Sequence, residues 1–477
     1  MGTNALLQDP AFRKAVASIQ RRAEKQTDWN KLIDLFVETD LFDRCSSTNT
    51  QLVLGRRGTG KTHLLRAFQK ECTINGRACF FIDCTSLGSG LAIANEQPET
   101  IATKFFTAFL NQLGTELLDE ALRKELPERT VQDKAFSHIV DGLATHIDPS
   151  PEGRPPTFNY RQIADSLARI LELLQIDTLT IILDEWSLIP LGAQPFFAEY
   201  LKRGVLATRA IIIKISAVNY QCELGLASPS GQIGLQRGAD IPDVIELDQY
   251  LIFDVRRDFV DEFFAQVLYN HLGSQLGWDL AISKQQKNGR VLSLFTQRDA
   301  FIELVRAAEG NTRDFLCIFG SAFFDFFRTA SSSQSISIPN IEAAAQKWYE
   351  QEKAAQVRAN AEAHATLAMI TADILGSYKS RSFLVPIQQA SHPRLLMLLN
   401  ERVLHRIGQT YFHPDRPGEQ HEIFTVDYGA YVRLRRTVRA VEENLFVSAD
   451  TPEGVPFDDR RSIRRIVFDP NLVQVPT

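Results

Sequence analysis

The sequence predicts an α/β protein: a parallel sheet flanked by helices, followed by an all-helical stretch and a C-terminal α+β domain. Three stretches predict it. The apolar run Leu52-Val-Leu54 opens into the glycine-rich loop Gly55-Arg-Arg-Gly-Thr-Gly-Lys-Thr62 and a helix-like stretch, which is strand, turn and helix in succession. A second apolar run, Leu179-Thr-Ile-Ile-Leu183, ends in Asp184-Glu185, as expected of a strand buried on both faces of a parallel sheet. Beyond the polar segment Ser331-Ser-Ser-Gln-Ser335 the order changes to helix, short strand, helix and hairpin.

A chain of 477 residues is too long for one ordinary core, and two or three domains are expected. Its 44% hydrophobic and 23% charged residues are the composition of a soluble globular protein. No run approaches the roughly 20 apolar residues that span a bilayer. The start, Met1 to Asp9, has neither a basic region nor a long apolar core, so a cytoplasmic protein without a membrane partner is expected. The six cysteines (45, 72, 79, 84, 222 and 317) form no C-x-x-C pair and have no histidines at zinc spacing, which reads as reduced buried thiols. A formal net charge of −6 gives no global pull toward nucleic acid; any such contact must come from a local patch.

Phe12, Val16 and Ile19, then Leu32, Ile33, Leu35 and Phe36, recur at helical spacing and make 1–45 a helical N-terminal segment. Asn75-Gly76 marks a turn before the short strand Ala78-Cys-Phe-Phe-Ile-Asp83. Asp83 either lies near the loop, because ligands bind beyond the carboxyl ends of parallel strands, or caps a turn. Residues 97–148 read as helical, with Ile101, Phe105, Phe106, Phe109 and Leu110 on one face, and the proline-rich 149–156 reads as a loop. A helix over 160–175 leads to the strand ending in Asp184. A further helix over 193–205 precedes the buried strand Arg209-Ala-Ile-Ile-Ile-Lys-Ile-Ser216.

The loop at 55–62 fits the spacing G-x-x-x-x-G-K-[ST], and the chemistry needs those residue types. Glycines at 55, 58 and 60 allow positive φ, so that several N–H groups converge on one phosphate, and the helix starting near Lys61 adds its positive end. Arg56, Arg57, Thr59 and His63 complete the cradle. Lys61 is expected to reach the β- and γ-phosphates and Thr62 to place its hydroxyl on Mg²⁺, making ATP with Mg²⁺ the expected cofactor. Downstream, Asp184 is expected to hold Mg²⁺ through water and Glu185 to orient or deprotonate the attacking water. Trp186 reads as packing. Ser216, or Asn219 three residues later, is expected to contact the γ-phosphate or that water; a plain strand-end turn is the alternative for each.

This order of phosphate loop, Asp-Glu strand and strand ending in a polar residue resembles the AAA+ ATPases, in particular the origin-recognition and replication-initiator branch and its bacterial relatives. The resemblance covers roughly residues 30–330. Leu235-Gln-Arg-Gly-Ala-Asp-Ile-Pro-Asp-Val-Ile-Glu-Leu-Asp-Gln-Tyr250 is similar to the initiator pattern, with an arginine before the fifth sheet strand and a tyrosine after it. It implies that Arg237 is an arginine finger acting on a neighbouring subunit's nucleotide, with Arg203 in reserve and a surface ion pair the alternative for either. Glu309-Gly-Asn-Thr-Arg-Asp-Phe-Leu316 is similar to the sensor-2 motif, which implies that Arg313 points at the γ-phosphate; an arginine paired to Asp314 or Glu309 is the alternative. The glycine-rich 224–239 and the absence of a basic charge balance depart from that branch. The resemblance implies a nucleotide-binding base over 46–254 and a helical lid over 255–330.

Over 331–477 a linker leads to helices at 340–376, a strand at Phe383-Leu-Val385, a helix Pro393 to Arg402 opened by Ser391 as a possible cap, and a β-hairpin around His413-Pro-Asp-Arg-Pro-Gly418. The resemblance implies a winged-helix domain here. The would-be recognition helix carries only Arg394 and Arg402 as cations and suits a core or protein-contact helix as well as a groove reader. Arginines 433, 435, 436, 439, 460, 461, 464 and 465 form denser clusters, interleaved with acids, that fit either phosphate contact or a solvated mixed-charge face. Two functions are expected as alternatives. One is an ATPase that assembles as a homo-oligomer or hetero-assembly and acts on DNA or a DNA-bound complex, in a setting that for bacterial relatives includes genome conflict or defence. The other is a STAND-like ATP-gated switch acting through a protein partner with little turnover.

Overall fold

The computed structural model describes residues 3–19, 28–88, 96–124, 140, 142–143, 147–148, 157–229, 231–252, 256–329, 335–378, 380–412, 418–435 and 466–473. The chain divides into two compact units. A sheet unit comprises Glu38–Gly55 and Lys61–Glu246; a second unit comprises Met1–Val37, Arg56–Gly60 and Leu247–Thr477.

In the sheet unit, strands β1 (Gln51–Leu54), β2 (Ala78–Asp83), β3 (Leu179–Asp184), β4 (Ile211–Ala217), β5 (Gly225–Ser228), β6 (Gly231–Gly234) and β7 (Asp243–Glu246) follow in chain order. Five of them form one parallel sheet in the order β2-β3-β4-β1-β7. Every residue of β1, β3 and β4 is buried, as the unbroken apolar runs require of central strands covered on both faces. Those covers are amphipathic helices. Pro98–Arg123 buries Ile101, Phe105, Phe106, Phe109, Leu110, Leu113 and Leu117, and Tyr160–Leu173 buries Ile163, Leu167, Ile170 and Leu171, each one apolar stripe at helical spacing. Trp186 is fully buried, stacks on Phe197 at 5.1 Å and donates from Nε1 to the Gln194 side-chain oxygen at 3.0 Å, the packing role expected of it.

One reading needs correction here. Within the stretch expected to be helical over 97–148, Pro98–Arg123 is a helix and Val140 and Gly142 are again helical, but Ile147–Asp148 is a short strand antiparallel to Thr157–Phe158. Asp148 precedes Pro149, whose ring disfavours helical backbone at the residue before it; the expected loop at 149–156 lies outside the described residues. The glycine-rich 224–239 holds the antiparallel hairpin β5–β6, which lacks the alternation of apolar side chains that would have announced it.

The second unit contains the helices Arg257–Leu276, Lys284–Leu292, Arg298–Ala308 and Thr312–Thr329, then Ile338–Trp348 and Ala361–Ile370, each of the last two followed by a π-helical turn, Tyr349–Lys353 and Thr371–Ser377. Strands β8 (Ser382–Pro386), β9 (Leu404–Phe412) and β10 (Gln420–Val426) make an antiparallel sheet in the order β8-β10-β9, compatible with a winged-helix domain. The chain returns at Ile466 to Phe468 to bond the free edge of β8, with Leu384 N donating to Ile466 O at 2.8 Å and Phe468 N to Leu384 O at 2.9 Å. The helix Pro393–Asn400 buries Leu395, Leu398 and Leu399, and its cap is His392, whose Nδ1 accepts from Arg394 N at 3.3 Å, rather than Ser391. Arg433 and Arg435 lie on the helix Tyr428–Arg435. The side chains of those two arginines, and all of arginines 436, 439, 460, 461, 464 and 465, lie outside the described residues.

The fold class expected from the sequence therefore holds. All six cysteines are free thiols, four of them buried. Among the described residues no helix is long and apolar enough to cross a membrane.

Candidate nucleotide-binding site

In the sheet unit, Gly55 N donates to Ala217 O at 3.2 Å, so the loop leaves β1 tied to β4. Lys61 is buried, and its Nζ donates to the Gly55 carbonyl at 2.7 Å. One residue on, Thr62 Oγ1 donates to Asp184 Oδ2 at 2.8 Å. Asp184, at the end of β3, is 2% exposed, and its other oxygen, Oδ1, is buried with no hydrogen-bond donor among the described residues. A buried, unsatisfied carboxylate oxygen is a costly group that calls for an ion, a ligand or a water. Thr62 and Asp184 thus fit the coordination sphere of Mg²⁺, whose ligands are hard oxygens and retained waters.

Ser216 sits in β4 opposite Val53 of β1, and its Oγ is likewise buried without a partner among the described residues. Asn219 is half-buried and opens the turn Asn219–Gln221. Glu185 holds left-handed backbone at φ 55°, uncommon outside glycine, and turns the chain out of β3 into Trp186–Leu188. His63 is half-buried on the first turn of the helix Lys61–Ile74. Asp83 takes the capping role, accepting from Thr85 N at 2.8 Å. Sequence reasoning missed Arg66, one helical turn past Thr62, whose guanidinium lies 3.4 Å from the Phe81 ring centroid. Burial pushes its pKa down, against the opposing pull of Asp184 and Asp83.

Arg237 is exposed in a turn closed by a bridge to Ile241. Arg203 is paired with Glu199 at 3.4 Å and lies over the Tyr160 ring at 5.2 Å.

The middle of the loop, Arg56 to Gly60, belongs by its contacts to the second unit. Arg57 O accepts from Asn311 Nδ2 at 2.8 Å, and Gly58 O accepts from Arg313 N at 3.1 Å. Asn311 also accepts from Asp314 N at 3.1 Å, so one side chain both starts the helix Thr312–Thr329 and grips the loop. Gly58 has φ +95°, and a Cβ there would lie 2.6 Å from Asn311 Oδ1 and 2.8 Å from Arg313 Cβ. Gly60 is also left-handed, at φ +100°. Gly55 does not have the positive φ expected of it; it serves through its N–H and carbonyl instead. Thr59 Oγ1 donates to Arg56 O at 2.9 Å.

Arg56 is the most heavily engaged residue of the loop. Its N–H and Nε donate to the two Asp248 oxygens at 2.9 Å each, Nη2 donates to Glu309 O at 2.7 Å, and Nη1 donates to His405 Nδ1. Burial opposes its charge, but Asp248, Glu309 and Asp314 outweigh burial and raise its pKa. Asp248 lies within the stretch Leu235–Tyr250 but was not singled out there, and His405 carries no motif signal, so sequence reasoning did not find them.

A parallel sheet in which the phosphate-type loop follows β1, and the acid-ended β3 lies one strand away across β4, defines a P-loop-type α/β fold. Residues 19–78 match the ORC-CDC6-like family model, the branch that the motifs resemble. No curated protein matches the chain in sequence. Among solved structures it is similar to the Orc1 protein of Aeropyrum pernix in complex with DNA, at 12% identity and TM-score 0.34 over 89% of this chain and 96% of that one. It is also similar to Cdc6p from Pyrobaculum aerophilum, at 12% identity and TM-score 0.34 over 91% and 97%. Drosophila ORC bound to DNA is similar at 11% identity and TM-score 0.31 over 88% and 94%. The fold class itself stands on the strand order of this chain.

Proposed function

We propose that this chain binds ATP with Mg²⁺ and hydrolyses it, and that its nucleotide state governs an assembly that acts on DNA or on a DNA-bound complex. The observation that carries the nucleotide reading is the Thr62–Asp184 hydrogen bond of 2.8 Å beside Asp184 Oδ1, which has no partner among the described residues. Thr62 and Asp184 would hold the ion, which when bound supplies positive charge to the phosphate oxygens. Lys61 and the loop N–H groups would bind the phosphates. Glu185 would position the attacking water and take its proton, and Ser216 or Asn219 would orient it. Arg313, whose N–H donates to Gly58 O, is the candidate for the γ-phosphate contact, and the exposed Arg237 is the candidate finger toward a neighbouring copy. The DNA reading is supported by the ORC-CDC6-like match at residues 19–78 and by the strand and helix order of the C-terminal domain.

One observation favours a second reading, an ATP-gated switch acting through a protein partner. Both cations of the helix expected to read a groove are engaged internally. Arg394 Nη1 donates to Pro470 O at 3.1 Å and Val473 O at 3.0 Å, and Arg402 pairs with Asp314 at 2.5 Å. ATPase rate against protein concentration, with and without duplex DNA at low salt, separates the readings. A DNA-acting ATPase is stimulated by duplex and loses activity in Lys61→Ala, Glu185→Gln and Arg237→Ala. A switch turns over slowly and is indifferent to DNA. Normal turnover in Glu185→Gln would sink the catalytic assignment, and a rate independent of concentration in a proven monomer would remove the finger.

A further inference from the structure

Arg56 is the near end of a buried chain of charges that runs to the C-terminal sheet. His405, on β9, takes the Arg56 Nη1 hydrogen on Nδ1 and donates from Nε2 to Asp427 Oδ2 at 2.8 Å. The same carboxylate oxygen accepts from Lys353 Nζ at 2.6 Å, and Lys353 also meets Asp314 at 2.9 Å. Asp314, next to Arg313 on the helix Thr312–Thr329, is closed on its other side by Arg402. Glu309 adds a parallel link to Arg381 at 3.3 Å, and Arg381 donates to the Tyr431 hydroxyl at 3.2 Å. The side chains of Lys353, Asp314 and Asp427 are 1–2% exposed. Lys353 reaches this position from the π-helical turn Tyr349–Lys353, a backbone form found disproportionately at functional positions.

Burying so many charges is a poor way to gain stability, because desolvation offsets most of the attraction. What such a network does well is hold one geometry, since breaking any link strands a buried charge. Here the links join the phosphate-type loop, the start of the Arg313 helix and the C-terminal sheet.

We propose that His405 and Asp427 are positioning residues for the loop. On this inference, which rests on the nucleotide reading above, the C-terminal domain sets the conformation of Arg56 to Gly60 through the Arg56–His405–Asp427–Lys353–Asp314 chain. Nucleotide at the loop is thereby coupled to the C-terminal sheet. Arg56 acts here as an anchor of the loop, with its guanidinium committed to Asp248, Glu309 O and His405. Coupling of this kind is reciprocal: whatever the sheet does to nucleotide affinity, nucleotide does to the sheet.

The test is hydrogen exchange with mass spectrometry on the full chain, without nucleotide and with the slowly hydrolysed analogue ATPγS and Mg²⁺. His405→Leu removes both hydrogen bonds, whereas His405→Gln keeps one acceptor and one donor. Without nucleotide, His405→Leu is expected to speed exchange of the 54–64 peptide while β3 and β4 keep wild-type protection, and His405→Gln to restore it. Loss of a buried hydrogen bond to a charged group predicts about tenfold weaker ATPγS binding in His405→Leu, recovered in His405→Gln. In the wild type, ATPγS is expected to slow exchange in 404–407 and 423–427, and in His405→Leu to leave it unchanged. Unchanged exchange at 54–64 in a folded His405→Leu overturns the proposal, as does wild-type ATPγS binding with no response at 404–407. If His405→Leu does not fold, Arg56→Lys, which keeps the charge and loses the fork, is read by the same two peptides with the same consequences. A wild type that fails to bind ATPγS overturns the nucleotide reading instead, while the nucleotide-free exchange still decides whether the C-terminal sheet holds the loop.

Discussion

Thr62 and Asp184 stand 122 residues apart in sequence, yet the threonine hydroxyl donates to one carboxylate oxygen at 2.8 Å and leaves the other buried and unpartnered among the described residues. Replacing Asp184 by Asn keeps the shape but removes the charge an ion would need. Asp184→Asn is expected to make ATP affinity nearly insensitive to Mg²⁺, read by fluorescent-nucleotide titration with Mg²⁺ or with chelator. Retained Mg²⁺ dependence in Asp184→Asn would mean that another group holds the ion.

Glu185→Gln separates binding from turnover. Loss of a general base lowers rates by roughly 10² to 10⁴. Hydrolysis is expected to fall by about that factor while nucleotide affinity stays within about threefold of wild type.

Gly58 and Gly60 differ in what surrounds them, although both have positive φ. A Cβ at Gly60 meets nothing within 4 Å, so Gly60→Ala carries backbone strain alone, about 1–2 kcal/mol. At Gly58 the Cβ would also press on Asn311 and Arg313, and Gly58→Ala is expected to cost about 1–3 kcal/mol more. Denaturant midpoints of the two variants give the difference directly; equal losses would mean that the loop yields freely at Gly58.

His405 predicts an acid limb. Burial, with the Arg56 charge beside it, pushes the His405 pKa down to about 4 from 6.5. Between those values the unfolded chain binds the proton and the folded chain does not, so stability rises with pH through that window and levels off above it. The loss on going from about pH 6.5 to about pH 4 is on the order of 3 kcal/mol. For Asp427 and Asp314, burial works upward, but Lys353 outweighs it, helped by His405 at Asp427 and by Arg402 at Asp314, and both carboxyls lie below the usual range. Their contributions are present above the ordinary carboxylate pKa and are lost only at lower pH. Chemical denaturation across this range should show the upper limb in the wild type and its absence in His405→Gln.

Lys353→Met leaves Asp427 without its ammonium partner and Asp314 with Arg402 alone. Stranding buried charge in this way typically costs about 3–5 kcal/mol. A fall in denaturant midpoint of that size is expected, partly recovered when Asp427→Asn is added; no recovery would mean that Lys353 acts mainly through packing.

The sheet was legible because its evidence is local. Continuous apolar runs at β1, β3 and β4 admit one environment, and glycine spacing ahead of Lys61 and Thr62 has few other uses. The position of Asp184 was legible because a continuous apolar run that stops at a carboxylate marks the end of a buried strand. Gly55 misled because a motif position implies a conformation only on average, and here the residue works through its N–H and carbonyl. The hairpin at β5–β6 was hidden by glycines that carry no face pattern, and the cap at His392 by the preference for serine one residue earlier.

By itself the sequence determined the α/β class, the order of the strands' chemistry, and the pairing of a phosphate-type loop with an acid-ended strand, because each is written in contiguous residues. Tertiary structure alone decided that Thr62 meets Asp184, that Asn311 grips Arg57, and that Arg56 is held through His405 and Asp427 by a sheet some 350 residues downstream, its partners 349 positions apart at His405. Those relationships join positions far apart in the chain. Nothing in the local pattern of an arginine, a histidine or a lone aspartate says which distant partner will neutralise it once water is excluded.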